Sequence, residues 1–486
     1  MESSLFARAR PLVLARAASV ALSFAIPLAL ARQFSQADYG TYKLLLLVSQ
    51  TLYYVVPFGI PQALYYFLPR SQKPKPYLTH TMLALTAIAA STLVALLLGA
   101  RSVGSWLNNP ELANHALWLG LFTFGTIVSS PIEIQLTAMG KTRLASMTYI
   151  VSDGVKAIAM VVPALLGLGV GGVMRGLAAF ALIRAAVAWP LTLGTRGPLF
   201  DRSSLSAQMR YALPFGAAVA LAIPQQYFHQ YFVSARVDSV AFAIYSVGLF
   251  QLPLIGLLYN PTSEILMVSL GELDHSGRPH EGAAVFRDAV AKLAMVFVPV
   301  TALLLVAAPS FIAALFTPRY LGSVPIFRIG ILGTLLACLP IDGVLRARGE
   351  TWHIFLSYVI KALITVPLVV LGVTKLGLMG GVGAWLAAEV IGKAALFWRM
   401  PRALGTLLGE LLPWRDLGRT AMASLIAAGL AGGASALWGP SAHALLTLTV
   451  MSLAYAAGYL AALLALGSRL PLNAALPWRR SLERVP

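Results

Sequence analysis

Apolar residues fill this 486-residue chain in long unbroken runs, separated by short turns of glycine, proline and charged residues. A membrane-spanning helix needs roughly 20 consecutive, mostly apolar residues. The runs reach that length repeatedly, and they do not alternate apolar with polar as the strands of a membrane barrel do. The pattern predicts an all-α polytopic membrane protein of about fourteen spans. They are expected at 11–31, 41–68, 78–100, 115–138, 144–167, 171–193, 211–233, 241–266, 290–315, 324–345, 352–374, 378–398, 417–437 and 442–466.

An internal repeat organises those spans. Pro131–Thr142 reads PIEIQLTAMGKT and Pro340–Thr351 reads PIDGVLRARGET, identical at six of twelve positions, with Glu133 opposite Asp342. The echo continues in order: Lys156 with Lys361, Val162-Pro163 with Val366-Pro367, Gly171-Gly172-Val173 with Gly380-Gly381-Val382, and Arg184 with Lys393. An ordered series of this kind marks two related halves. The offset spans six helices, an even number, so the halves insert with the same orientation, as parallel repeats do about an axis near the membrane normal. The expected division is one six-helix bundle at 1–196, a second at 197–402, and two additional spans with a tail at 403–486. A substrate path is expected between the bundles.

Two spans carry clustered prolines. Pro57, Gly59 and Pro61 fall within five residues of span two, which must kink or unwind there. Span eight carries Pro253 and Pro261. Either these helices bend during transport, which makes Pro57 and Pro61 gating candidates, or the prolines are of the kind common in membrane helices.

Composition agrees with a membrane protein. The chain is 58% apolar and 11% charged, with a mean hydropathy of +0.78, whereas soluble domains carry about a quarter charged residues. A net charge of +18 would suit nucleic acid, but its distribution argues otherwise. Of the 36 lysines and arginines, 23 fall in the N-terminal stretch, the C-terminal tail and the loops on one side, and five in the loops on the other. The basic side is the cytoplasmic one, so both termini are expected inside, and no nucleic-acid partner is expected. Arg8 and Arg10 before an apolar run, with Ala29-Leu30-Ala31 beyond it, imitate a signal peptide. An uncleaved first span is the preferred reading, because Arg16 interrupts the run and removing it would reverse the loop charges.

Eight cations remain within spans: Arg16, Lys43, Lys156, Arg175, Arg184, Arg328, Lys361 and Lys393. Charges at such depth are costly and face a partner or a water-filled cavity. Arg16 is either an interfacial anchor or a cleft arginine that meets an anionic head group. Lys43, Arg175 and Arg328 read as snorkelling anchors. Asp153 with Lys156, and Glu389 with Lys393, have the spacing of helix-local pairs. Arg184 could reach Asp153, and Lys361 could reach Glu389, on neighbouring spans. Glu133 and Asp342 are expected to brace the basic turns beside them.

Span seven carries Gln225, Gln226, His229 and Gln230, mostly on one stripe. The stripe fits hydroxyl-rich ligands and fits interhelical hydrogen bonding equally. Asn260 and Glu264 on span eight are four apart. Asp153 and Glu264 are the acids weighed for ion coupling or gating. No nucleophile–base constellation, metal-ligand cluster or phosphate-binding GxxxxGK[ST] loop occurs. The expectation is therefore a non-enzyme without catalytic residues, metal or cofactor, apart from coupling to a proton or sodium gradient.

At Ala31–Tyr42, ARQFSQADYGTY, the sequence resembles the start of Wzx-like polysaccharide flippases, members of the multidrug/oligosaccharidyl-lipid/polysaccharide (MOP) exporter superfamily. Gly59–Leu64 with Phe67, and Phe316–Phe327, FTPRYLGSVPIF, are similar to the same family. The resemblance implies a MATE-like fold, and a flippase that moves undecaprenyl-diphosphate-linked oligosaccharide repeat units across the bacterial inner membrane by alternating access, for exopolysaccharide, capsule or O-antigen export. It implies a lipid-linked substrate, membrane lipids and polysaccharide polymerase or export machinery as partners. A diphosphate asks for cations in the cleft, and Arg16 is the first choice; the glycan hydroxyls are left to Gln225, Gln226, His229, Gln230 and Asn260. The alternatives are a multidrug/ion antiporter of the superfamily, a lipid II flippase, whose arginine-rich opening motifs are absent here, and a non-transporting scaffold for a polysaccharide synthase.

Overall fold

The computed structural model describes residues 24–195, 197–253, 255–438 and 443–467. Helices occupy most of them, and no strand occurs among the described residues. Among those residues, eight helices are long and apolar enough to cross a membrane, or nine if the bent pair Gln36–Val55 and Ile60–Arg70 is one span. The chain is an all-α, multi-pass membrane protein. Helices Lys75–Trp106, Thr142–Leu165, Gly169–Leu193, Gly282–Phe316 and Ala444–Ala465 lie on the expected spans, most with ends shifted by a few residues.

The longest helical stretch, Thr351–Phe397, has 47 residues. At 1.5 Å per residue that is about 70 Å, more than twice the roughly 30 Å of a bilayer core. One residue resolves the mismatch. Gly377 has φ 58° and ψ −137°, outside the helical region. Without a Cβ it turns the chain where other residues would be strained. The two arms meet again, because Lys361 on one lies 2.5 Å from Glu389 on the other. The stretch is thus two helices, those expected at 352–374 and 378–398.

Packing divides the chain into two compact units. Of the described residues, the first holds those up to 247 together with 362–385; the second holds those within 248–361 and 386–467. In the first, Met82, Leu85, Ile127, Ile132, Leu136, Ala185 and Ala188 form a core between four helices. In the second, Leu266, Leu270, Phe286, Val290, Val344, Leu345 and Met400 form another. The helices Trp414–Trp438 and Ala444–Ala465 join the second unit, where Ala427, Ala431, Met451 and Tyr455 close over Ala307.

The stretch around Asp38-Tyr39-Gly40-Thr41-Tyr42 has a local physical account. Ser35 caps the helix Gln36–Val55, its Oγ accepting from the Asp38 N–H at 3.1 Å, as N-cap serines do. Tyr39 and Tyr42 are buried. A Cβ on Gly40 would overlap the Ser239 carbonyl oxygen, so two helices of the first unit touch there backbone to backbone. Asn109 Nδ2 ties the crossing by donating to Thr41 Oγ1 at 3.0 Å and Ser239 Oγ at 3.1 Å.

Candidate functional site

The repeated stretch folds the same way twice. Helices Pro131–Ala138 and Ile341–Ala347 each end in a left-handed glycine, Gly140 (φ 77°) and Gly349 (φ 71°). The Lys141 N–H reaches back to the Leu136 carbonyl at 2.8 Å, and the Glu350 N–H to the Leu345 carbonyl at 2.9 Å. These are Schellman-type caps, which satisfy carbonyls that the helix end leaves open.

The acids in the first turn of these helices are partnered alike. Arg184 Nη2 donates to both carboxylate oxygens of Glu133, at 2.7 and 2.9 Å. Lys393 Nζ donates to Asp342 Oδ2 at 3.2 Å. Glu133 is buried, and the other three side chains are 17–22% exposed. Asp342 has a second donor in the Tyr259 hydroxyl, which also receives Lys393 Nζ at 3.0 Å. Tyr259 closes a five-residue π-helical stretch that follows Pro253, an irregularity frequent at functional sites. The Lys361–Glu389 ion pair lies in the same unit. In the first unit Asp153 lies near enough to act electrostatically on Glu133 and Lys156.

Some of these partners follow from the spacing rules and some do not. Lys361 reaches Glu389 as expected. Arg184 bonds Glu133 rather than the expected Asp153, and Lys393 bonds Asp342 rather than the helix-local Glu389, each carboxylate lying on a different helix from its cation. The signal was present in the numbering: Glu133 to Arg184 and Asp342 to Lys393 are both separations of 51 residues. Arg175 and Arg328 are exposed and bond backbone carbonyls, of Gly171 at 3.2 Å and Leu305 at 2.9 Å.

The polar stripe of helix Arg202–Ser234 separates into two rows. Gln225 and His229, one turn apart, are buried. Gln225 donates to Thr365 Oγ1 at 3.1 Å, and His229 Nδ1 pairs with the Tyr245 hydroxyl at 2.7 Å, its ring 5.7 Å from that of Trp385. Gln226 is exposed and Gln230 half-buried. Asn260 and Glu264 are exposed in the second unit. Pro57 and Pro61 are buried and flank the break that bends the second span by 44°. Arg16 lies outside the described residues. Among those residues, no group of three or more His, Cys, Asp or Glu side chains gathers as a metal site.

Outside the spans, hydrogen bonds set the acids. Asp201 caps the helix Arg202–Ser234, accepting from Ser204 N at 2.9 Å and from the hydroxyls of Ser203 and Ser204. Those bonds, the Ser204 hydroxyl foremost, lower its carboxyl to about 2. The Arg399 guanidinium, donating to Glu350 at 2.8 and 3.1 Å, likewise holds that carboxyl below its ordinary value.

Several solved structures share this fold. A lipid II flippase MurJ in an inward closed conformation superposes with a TM-score of 0.74 at 13% identity, over 94% of this chain and 99% of its own. An inward-facing multidrug resistance MATE transporter of the MOP superfamily gives 0.65 at 13% identity, over 81% and 96%. A MOP superfamily transporter from Pyrococcus furiosus gives 0.53 at 16% identity, over 81% and 94%. A search of curated proteins found no match. The fold is that of MOP-superfamily transporters and flippases. The sequence profile of the polysaccharide biosynthesis protein family matches residues 29–325, more than half of the chain, and the chain belongs to that family.

Proposed function

We propose that this protein is a flippase that carries undecaprenyl-diphosphate-linked oligosaccharide repeat units across the bacterial inner membrane by alternating access, with both termini in the cytoplasm. The observation that carries the reading is the combination of a polysaccharide biosynthesis family with a fold shared with a lipid II flippase. Both features point to a glycan that travels on a lipid. The repeat assigns one bundle to 1–196, its twin to 197–402 and the added spans to 403–486. Polysaccharide polymerase or export machinery is the proposed partner.

The paired ions bear on how the substrate is held. Arg184, Lys361 and Lys393 each have a carboxylate within 3.2 Å, so a diphosphate would have to displace an ion already in place. Arg16 therefore stays the proposed head-group ligand. Of the polar stripe, Gln226 and Gln230 have surface to offer glycan hydroxyls, as does Asn260. Asp153 and Glu264 remain the proposed coupling acids.

The test is complementation of a strain lacking this gene with the wild-type chain and with Arg16→Ala and Arg16→Lys. Membrane expression, exported polysaccharide and repeat units held at the cytoplasmic face are measured together. The flippase reading expects deletion to stop export and repeat units to accumulate. Unchanged export on deletion defeats it. Acquired drug sensitivity in its place favours the second reading, a multidrug exporter, which the likeness to MATE transporters supports.

A further inference from the structure

In the first unit, basic loops gather with no carboxylate partner among the described residues. Gly197 packs against Lys73, Lys75 and Pro76, and Leu64, Leu68 and Leu78 pack with Ile134, Ala138 and Met139. The loops 69–75, 139–143 and 197–202 thus belong to one face. They hold a single acid, Asp201, whose carboxylate is occupied by Ser203 and Ser204. Arg70, Lys73, Lys141, Arg143, Arg202 and Arg210 are all exposed. None of them forms an ion pair among the described residues.

The second unit treats its loops differently. Arg278 pairs with Glu281, Lys292 with Asp288, Arg348 with Asp274 and Arg399 with Glu350. Orientation in the membrane asks for cations on one side. It does not ask that acids be kept out of one unit's loops and placed in the other's. Arg70 donates to the Tyr66 carbonyl at 2.8 Å, but no carboxylate balances these cations of the first unit, and that calls for another explanation.

Aromatic rings stand beside them. Tyr66 and Tyr211 stack with centroids 4.7 Å apart, and each is more than 40% exposed. The Arg70 guanidinium lies 4.2 Å over the Tyr66 ring. Arg210 directly precedes Tyr211. Guanidinium groups recognise phosphate oxygens through paired N–H donors, and an exposed ring face accepts the apolar face of a sugar. A bulk phospholipid has no sugar ring to use it.

We propose that this face is the loading site for an isoprenoid-diphosphate-linked sugar, with Arg70 and Arg210 on the phosphates and the Tyr66–Tyr211 pair under the first sugar. The proposal deepens the flippase reading and rests on it. The experiment titrates the full-length purified protein by native mass spectrometry. The probes are a farnesyl-diphosphate-linked monosaccharide, farnesyl diphosphate and dioleoyl phosphatidylglycerol. The sugar-bearing probe should bind tightest. Arg70→Gln with Arg210→Gln should weaken it about ten-fold or more, and Arg70→Lys with Arg210→Lys should restore part of the loss. Tyr66→Leu should remove its advantage over farnesyl diphosphate. Melting temperatures are read alongside, because Arg70 also donates to the Tyr66 carbonyl and Tyr66 stacks on Tyr211; binding is compared among variants that melt with the wild type. Wild-type affinity in the double Gln variant overturns the proposal and leaves the cations as an orientation signal. Phosphatidylglycerol binding as tightly and competing overturns it in favour of a bulk-lipid surface. Full polysaccharide export by a double Gln variant that no longer binds the probe removes the loading role and leaves the flippase standing. Unchanged export on deleting the gene, with probe binding intact, removes the flippase instead.

Discussion

Arg184 stands to Glu133 as Lys393 stands to Asp342. Each cation follows its carboxylate by 51 residues, and each pair closes inside its own unit. The repeat places an ion pair at the same spacing in both copies, with different chemistry in each. The first copy is a forked guanidinium–carboxylate pair; the second is a lysine that shares its carboxylate with a tyrosine hydroxyl. Both keep opposite charges together where a single one would be costly.

Removing one partner should therefore hurt more than removing both. Arg184→Met leaves Glu133 buried and uncompensated, and is expected to cost about 3–5 kcal/mol. Arg184→Met combined with Glu133→Leu should recover most of that. Thermal unfolding of the detergent-purified variants checks it, and a double variant no better than the single would break the account.

The polar stripe should divide by row. Gln225→Leu and His229→Leu each lose an interhelical hydrogen bond and should destabilise by about 0.6–1.7 kcal/mol. Gln226→Leu and Gln230→Leu make no such bond among the described residues and should melt with the wild type. If one of the second pair is the more damaging to stability, the rows have been misread.

Gly40 allows no larger side chain. Gly40→Ala puts a methyl onto the Ser239 carbonyl and should cost about 1–3 kcal/mol through the forced backbone shift. Ser239→Ala, which leaves that carbonyl in place, should be milder. Comparing the yields and melting temperatures of the two variants decides the point.

Asp201 gives a pH signature. Its carboxyl titrates at about 2 in the folded chain against an ordinary value of 3.8. A lowered folded value means that the charged cap contributes fully above the unfolded value, and that the contribution fades as pH falls from about 4 to about 2. Asp201→Asn should lower the melting temperature at neutral pH. The gap from the wild type should narrow through that acid window, and a gap independent of pH would show that the charge is unimportant.

How much of this could be read beforehand follows from distance along the chain. The long apolar helices and the break between Pro57 and Pro61 are local matters, announced by the apolar runs and the paired prolines; the caps at Gly140 and Gly349 are equally local, and only the structure shows them. Lys361 with Glu389 was within reach because a short turn joins their helices. For Arg184 the sequence offers Asp153 as a reachable acid and not Glu133, since helix-local spacing says nothing about how neighbouring helices are turned. Spacing also placed Gln225 and Gln226 together as polar neighbours. Successive residues point about 100° apart on a helix, and only the presence of Thr365 and Tyr245 decides which row is covered. Tyr259 gave no sequence signal as a partner of Asp342.

The ion pairs also bear on how the protein meets the membrane voltage. Carrying one elementary charge through the full field exchanges about 2.3 kcal/mol for each 100 mV. Glu133 with Arg184, Asp342 with Lys393 and Glu389 with Lys361 each sum to zero. Wherever their helices move, these groups travel as dipoles and carry almost no gating charge. In the proposed transport cycle, the voltage dependence then falls on the substrate, on any coupled ion and on the charges that remain single.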